Sequence, residues 1–367
     1  MIPRTLQPLD SSIRMLPAYC RLGGCAAAAF FAFAAQSTFA QQAVVLGHDQ
    51  CVACHGSEGK AWLQSPHATG AFQNLSHDKA PGFARAMGVS GNLSASMCAT
   101  CHATEPAGST HNGVSCESCH NPSGPKDGGW FSVHSDYGVA FSGQGSPIGL
   151  RDQESDAHRA SRVAKGKQLG MIGTADVVEI AKNCLECHTV PNEKLVNAGH
   201  PTSKRFELVR WSQGVVRHNF ALDQSTNAES PSLWLKPLPA RPGRTPENRK
   251  KLMFVAGQLA DLEVSLRARA SASDGDYGKA FNDRINDAIG ELEDLSHVPE
   301  VQQAVTAAAG IDKSRLRQFS AGDAQFFAKA ADGVLAAAKA FIQNHPDGAD
   351  LGDVKTPRRS EGNPFKP

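Results

Sequence analysis

Apolar residues fall into a sustained helical register only in the last third of the chain. Leu252, Val255, Leu259, Leu262 and Leu266 recur every three or four positions, one face of an amphipathic helix. Thr245-Pro246-Glu247 precedes them with a capping hydroxyl and a proline suited to the first helical turn. Phe281, Ile285, Ala288, Ile289, Leu292 and Leu295 mark a second helix. Phe327, Val334, Ala338 and Phe341 mark a third, beginning near Ser320 and ending at Asn344-His345-Pro346. A shorter helix is predicted over 299–309. The stripes predict a helical bundle over residues 246–345 with these positions as its core. The polar, glycine- and proline-bearing segment 346–367 predicts a disordered tail.

Upstream the pattern changes. Residues 41–220 show no persistent alternation of the kind strands require, and glycine and proline are frequent. The expected fold class is mainly α, with a loop-rich domain over 41–220 whose short helices include 56–66 and 173–187. Five prolines between Pro231 and Pro246 predict an extended linker over 221–245. The first 40 residues carry Arg4, Arg14 and Arg21, then an apolar run from Cys25 to Ala35, then Thr38-Phe39-Ala40 before Gln41. That is the layout of a secretory signal peptide, with a retained N-terminal anchor as the alternative. No later stretch approaches the roughly 20 apolar residues of a membrane span.

Composition adds little until the cysteines are placed. Hydrophobic residues make up 41% and charged residues 20% of the 367, an ordinary globular balance. Two of the ten cysteines, Cys20 and Cys25, lie in the signal. The other eight form four pairs: Cys51/Cys54, Cys98/Cys101, Cys116/Cys119 and Cys184/Cys187. An exported chain with paired cysteines suggests disulfides. The residue after each pair redirects that reading, because the pairs read CVACH, CATCH, CESCH and CLECH.

C-x-x-C-H is the attachment motif of c-type haem. Two thiols bond to the vinyl carbons on one side of the porphyrin, and the next histidine binds iron from below. A zinc site would combine two C-x-x-C pairs and would not need a histidine after each. The motifs therefore predict four covalent haems, with His55, His102, His120 and His188 as proximal ligands. All four lie between residues 51 and 188, too little chain to build a separate core around each. The haems themselves are expected to form the core of a tetrahaem domain, close to one another.

Distal ligands are then needed. Candidates outside the motifs are His48, His67, His77, His111, His134, His158, His200 and His218. Met97 adjoins Cys98 and is poorly placed to cross its own ring, and Met87 and Met171 have nothing to single them out. Bis-histidine ligation would give low-spin iron of relatively low potential.

The order CVACH, AWLQSPHATGAF, CATCH, GVSCESCHNPSG, CLECH resembles the tetrahaem cytochrome c-554 family over about residues 47–190. Its most specific parts are Trp62-x-x-Ser-x-His67 and Gly113-Val-x-Cys-Glu-Ser-Cys-His120. The resemblance implies His67 as distal ligand of the third haem and His134, though at a longer spacing, as that of the first. Two departures stand out. The family carries a histidine just before the fourth motif, and residues 171–183 hold none. His200 follows the fourth motif at the spacing that separates His67 from the first, which makes it a candidate for the fourth haem, with His158 and His218 behind it. His48, His77 and His111 are expected at the surface or as hydrogen-bonded neighbours. The family's second haem is five-coordinate and open to a small molecule such as nitric oxide, and this chain has spare histidines to close it.

The functional expectation is a periplasmic electron carrier passing electrons between redox proteins. The formal charge of +1 becomes −1 once three arginines and one aspartate leave with residues 1–40, and haem propionates add to it. A negative surface favours basic redox partners. Nothing points to nucleic acid, and peripheral membrane association and oligomeric state stay open. Two alternatives compete: a haem reductase acting on a small nitrogen or sulfur compound at an open iron, and a redox subunit of a larger complex.

Overall fold

The structure, a computed structural model, describes residues 44–53, 55–105, 109, 111–124, 128–137, 155–202, 206–214, 245–273, 275–317, 321–358 and 361. The expected signal segment and all but the last residue of the proline-rich linker lie outside them. The described chain is mainly helical and contains no strand, as the patterning predicts.

The first half consists of short helices joined by loops. They are α1 (His48–Val52), α2 (Gly56–Leu63), α3 (Gly70–Gln73), α4 (Ala80–Met87), α5 (Ala99–His102) and α6 (Cys116–His120). A 3₁₀ helix over Trp130–Tyr137 leads to α7 (Asp156–Gln168), capped by Ser155, whose hydroxyl accepts from His158 N. Helices this short do not stand alone in water and hold only through tertiary contacts. The two expected helices are present, α2 within 56–66 and α8 (Val177–His188) over the expected 173–187, starting four residues later and ending one residue beyond it. A single turn, α9 (Glu193–Asn197), and α10 (Leu208–Gly214) complete this half.

The second half holds α11 (Pro246–Ser271), α12 (Asp276–Glu293), α13 (Pro299–Ala307), α14 (Lys313–Arg317) and α15 (Ala321–Asn344). Thr245 caps α11 through its hydroxyl, which accepts from Asn248 N at 3.2 Å, and Pro246 opens the first turn. α11 packs along α12 and α15, and α13 along α15. The predicted stripe residues Leu252, Val255, Leu259, Leu262 and Leu266 are all buried.

That core extends beyond the bundle. Val177, Val178, Ile180, Ala181 and Leu185 of α8 belong to the same buried cluster as the α11 and α15 residues. The helix that ends in the fourth CxxCH motif is thus a wall of the bundle, and the bundle fixes where that motif points.

The start of the expected disordered tail is folded. Leu351 and Val354 are buried in the same core. His345 holds the turn by two contacts, Nε2 to Glu300 Oε2 at 3.0 Å and Nδ1 to Asp350 Oδ2 at 2.8 Å. Gly348, at φ 72, lies so close to the Asn248 carbonyl that a side chain would meet it. Two apolar residues three apart are enough to dock the segment, although its composition is that of a loop.

Candidate haem-attachment site

In the motifs described in full, each cysteine pair spans one helical turn. Cys98 caps α5 and Cys101 lies within it, Cys116 and Cys119 lie in α6, and Cys184 and Cys187 in α8. Residues three apart share a helix face, so each pair presents two thiols on one side. In the first motif Cys51 belongs to α1 and His55 caps α2, while Cys54 lies outside the described residues. All seven described cysteines are free thiols. No described group of three or more His, Cys, Asp or Glu is gathered around one point as a zinc site would need.

Thiols of different motifs meet. Cys51 is hydrogen-bonded to Cys116, which together with burial pushes its thiol far above the ordinary range. Cys101 is hydrogen-bonded to Cys187, which lowers Cys101 and, with burial, raises Cys187. Burial pushes Cys119 up to about 11 and raises Cys184, and Cys119 acts electrostatically on Cys184. The third and fourth motifs are also joined through backbone. Asn183 Nδ2 donates to Ser118 O at 2.8 Å and to Cys119 O at 3.0 Å. His120 Nδ1 lies 2.7 Å from Ile172 O, and Ile172 N donates back to His120 O at 3.1 Å. Contacts therefore run from the first motif to the third, the third to the fourth, and the fourth to the second.

The histidines form two wide pairs. His67 and His188 have ring centres 6.1 Å apart at an interplanar angle of 57°. His102 and His200 are also 6.1 Å apart, at 68°. His188 stacks on Phe206 at 4.7 Å and meets Trp211 edge-on at 5.0 Å. His102 Nδ1 lies 2.8 Å from Ala71 O, and His200 Nδ1 lies 2.9 Å from Pro201 O. An Nδ1–H donated to a carbonyl leaves the lone pair on Nε2. Burial holds His67, His120 and His200 below the ordinary imidazole range. It takes His188 down to about 3, helped by His67 and Arg284. A neutral imidazole keeps the electron pair a metal requires.

The other candidates are elsewhere. His48 is buried, packed on Trp62 at 4.6 Å and His111 at 4.8 Å. His77 is exposed and accepts from Lys79 N, and His158 is exposed on α7. His134 lies in the 3₁₀ helix over Trp130–Tyr137 with its side chain outside the described residues, as is all of His218.

Two residues that frame the site carry no signal as ligands. Glu117, between the cysteines of the third motif, is buried and accepts from Leu46 N at 2.9 Å, Gly47 N at 2.8 Å, Ser123 N at 2.8 Å and the Ser123 hydroxyl. It ties the chain entering the first motif to the chain leaving the third. Glu105 does a similar service for α1, accepting from His48 N at 3.2 Å. A glutamate inside a CxxCH motif looks like surface filler, and only a fold reveals its donors.

Paired thiols on one helix face, an adjacent histidine with its lone pair available, and buried neutral imidazoles opposite fit a covalently held haem. No curated protein and no solved structure matches the chain at a significant level. Residues 50–121, which hold the first three of the four motifs, are similar to the family model described as cytochrome c554 and c-prime.

Proposed function

We propose that the protein is an exported tetrahaem electron carrier that passes electrons between periplasmic or membrane-bound redox proteins. The observation that carries this reading is the unbroken run of contacts between motifs, first to third to fourth to second. Haem bound at these motifs supplies a one-electron iron couple. The chain's own part is to fix the attachment points next to one another and keep water from between them. Asn183 and the paired His120–Ile172 contacts hold the third and fourth motifs in register. α8, embedded in the bundle core, makes that register rigid.

Export rests on the signal-like residues 1–40, and among the described residues no helix is long and apolar enough to cross a membrane. The net charge after loss of that segment is −1, before any propionate is added, which suits a basic docking partner. The test is a haem count by pyridine haemochrome on protein expressed with a cytochrome c maturation system, followed by a redox titration. Four haems per chain that titrate reversibly, with no turnover of nitrite, hydroxylamine or sulfite, is the expected result. Fewer than four haems, or steady turnover of any of these compounds, would overturn it.

A further inference from the structure

We propose that His200 is the distal ligand of the haem held by Cys98, Cys101 and His102, so that the second haem is closed, and that His67 serves the fourth haem opposite His188. The inference rests on the tetrahaem reading and sharpens it. The resemblance implies an open second haem and His67 for the third, and the spacing in sequence offers His200 for the fourth. The positions of the rings point elsewhere.

The ring separation is the main argument. A metal-bound imidazole nitrogen lies about 2 Å from the metal and about 1 Å from its own ring centre, so two imidazoles facing each other across one metal have centres about 6 Å apart. Both His102–His200 and His67–His188 stand at 6.1 Å. Two imidazoles joined directly by an in-line hydrogen bond would stand about 5 Å apart. The His48–His111 pair, at 4.8 Å, is too close to admit a metal. The tautomers agree, since His102 and His200 each direct Nδ1 to a backbone carbonyl and leave Nε2 for iron.

His200 is also held in place. It follows α9, which is fixed to the bundle at both ends. Ser273 N donates to Glu193 Oε1 at 3.0 Å, and Tyr277 N donates to Asn197 Oδ1 at 2.9 Å. Val196 is buried in a cluster with Tyr277 and Phe281. Gly199, at φ 92, turns the chain, and His200 N donates to Leu195 O at 3.2 Å. Phe83 of α4 packs on the His200 ring at 5.1 Å. A surface histidine needs none of this support. The second motif is the last in the run of contacts, so closing its iron turns the end of the array from a place for a small molecule into a port for electrons.

The test is electron paramagnetic resonance of the ferric holoprotein with and without cyanide, on wild type, His200→Ala, His200→Met and His67→Ala, each with its haem count. Expected are four low-spin haems indifferent to cyanide in wild type. His200→Ala should convert one haem in four to a high-spin, cyanide-binding form, and His67→Ala a different one. His200→Met, which keeps a ligand, should stay low-spin and raise one midpoint potential. Should the alanine variants fail to mature, the wild-type spectrum and His200→Met still decide. Four haems of which one is high-spin in wild type and unaltered by either His200 substitution would overturn this inference alone. Fewer than four haems in wild type would overturn the tetrahaem reading beneath it.

Discussion

The indole Nε1 of Trp62 donates to the carbonyl of Val114 at 2.8 Å. Val114 N donates in turn to the carbonyl of His67 at 2.8 Å, and Ser65 closes the turn between them by donating its hydroxyl to Trp62 O at 2.7 Å. The two most specific stretches of the sequence, Trp62-x-x-Ser-x-His67 and Gly113-Val-x-Cys, are therefore two sides of one clamp. Gly113 completes it, because a side chain there would overlap the carbonyl oxygens of His67 and Ala68.

Breaking the clamp should cost stability and displace His67. Trp62→Phe strands a buried carbonyl and is expected to cost about 1–3 kcal/mol. Gly113→Ala forces backbone apart and is expected to cost about as much or more. Denaturant unfolding of the holoprotein measures both. Gly113→Ala unfolding at the wild-type midpoint would show that the close approach does not constrain the fold.

Glu117 offers a second check. Its carboxylate receives three backbone N–H groups and one hydroxyl from the chain entering the first motif and the chain leaving the third. Glu117→Gln keeps the size but replaces one accepting oxygen with a donor amide facing donors. Hydrogen bonds to a charged group are worth about 1.5–3 kcal/mol each, so a loss on the order of 3 kcal/mol is expected. Haem loading should fall at the first motif before the fourth, which mass spectrometry of tryptic haem peptides would reveal.

How much of this was legible in the sequence differs by element. The CxxCH motifs are local, and their chemistry sits in five consecutive residues, so spacing alone names them. The stripe from Leu252 to Leu266 is equally local, and every one of its residues is buried. Leu351 and Val354 were hidden because two apolar positions in a polar segment make no periodicity, and only the groove they fill explains them. Neighbouring rings were beyond reach for another reason. His102 meets His200, and His67 meets His188, through the anchoring of α9 and α8 on the bundle. Spacing along the chain carries no information about such contacts.

The sharing of one core by α8 and the bundle makes a third prediction. Leu185→Ala, two residues before Cys187, should open a cavity and cost about 2–5 kcal/mol. Deleting residues 246–367 removes the partners of Val177, Val178, Ile180, Ala181 and Leu185 together. The truncated chain should lose its fourth haem or aggregate. A soluble product with four haems would show that the motif-bearing half folds without the bundle.

The last prediction concerns the charge that the bundle brings to the fourth motif. Arg284 of α12 is buried and pairs with Asp261 of α11, Nε to Oδ1 at 2.9 Å and Nη2 to Oδ2 at 2.5 Å. Burial raises the Asp261 carboxyl, and the Arg284 contact opposes that rise. The guanidinium is near enough to His188 to disfavour its protonation. Asp261→Asn leaves the arginine buried without its counter-charge, which should cost about 3–5 kcal/mol. The uncompensated positive charge also favours the less positive, reduced state of any redox centre that His188 holds. One midpoint potential out of the set should therefore rise, while the others stay put. Arg284→Met, which removes the charge and keeps the volume, should shift the same potential downward in the Asp261→Asn background. Spectroelectrochemical titration of the single and double variants separates the two effects. An unchanged potential in Asp261→Asn would mean that solvent screens the pair from the fourth motif and that the bundle contributes packing there without an electrostatic role.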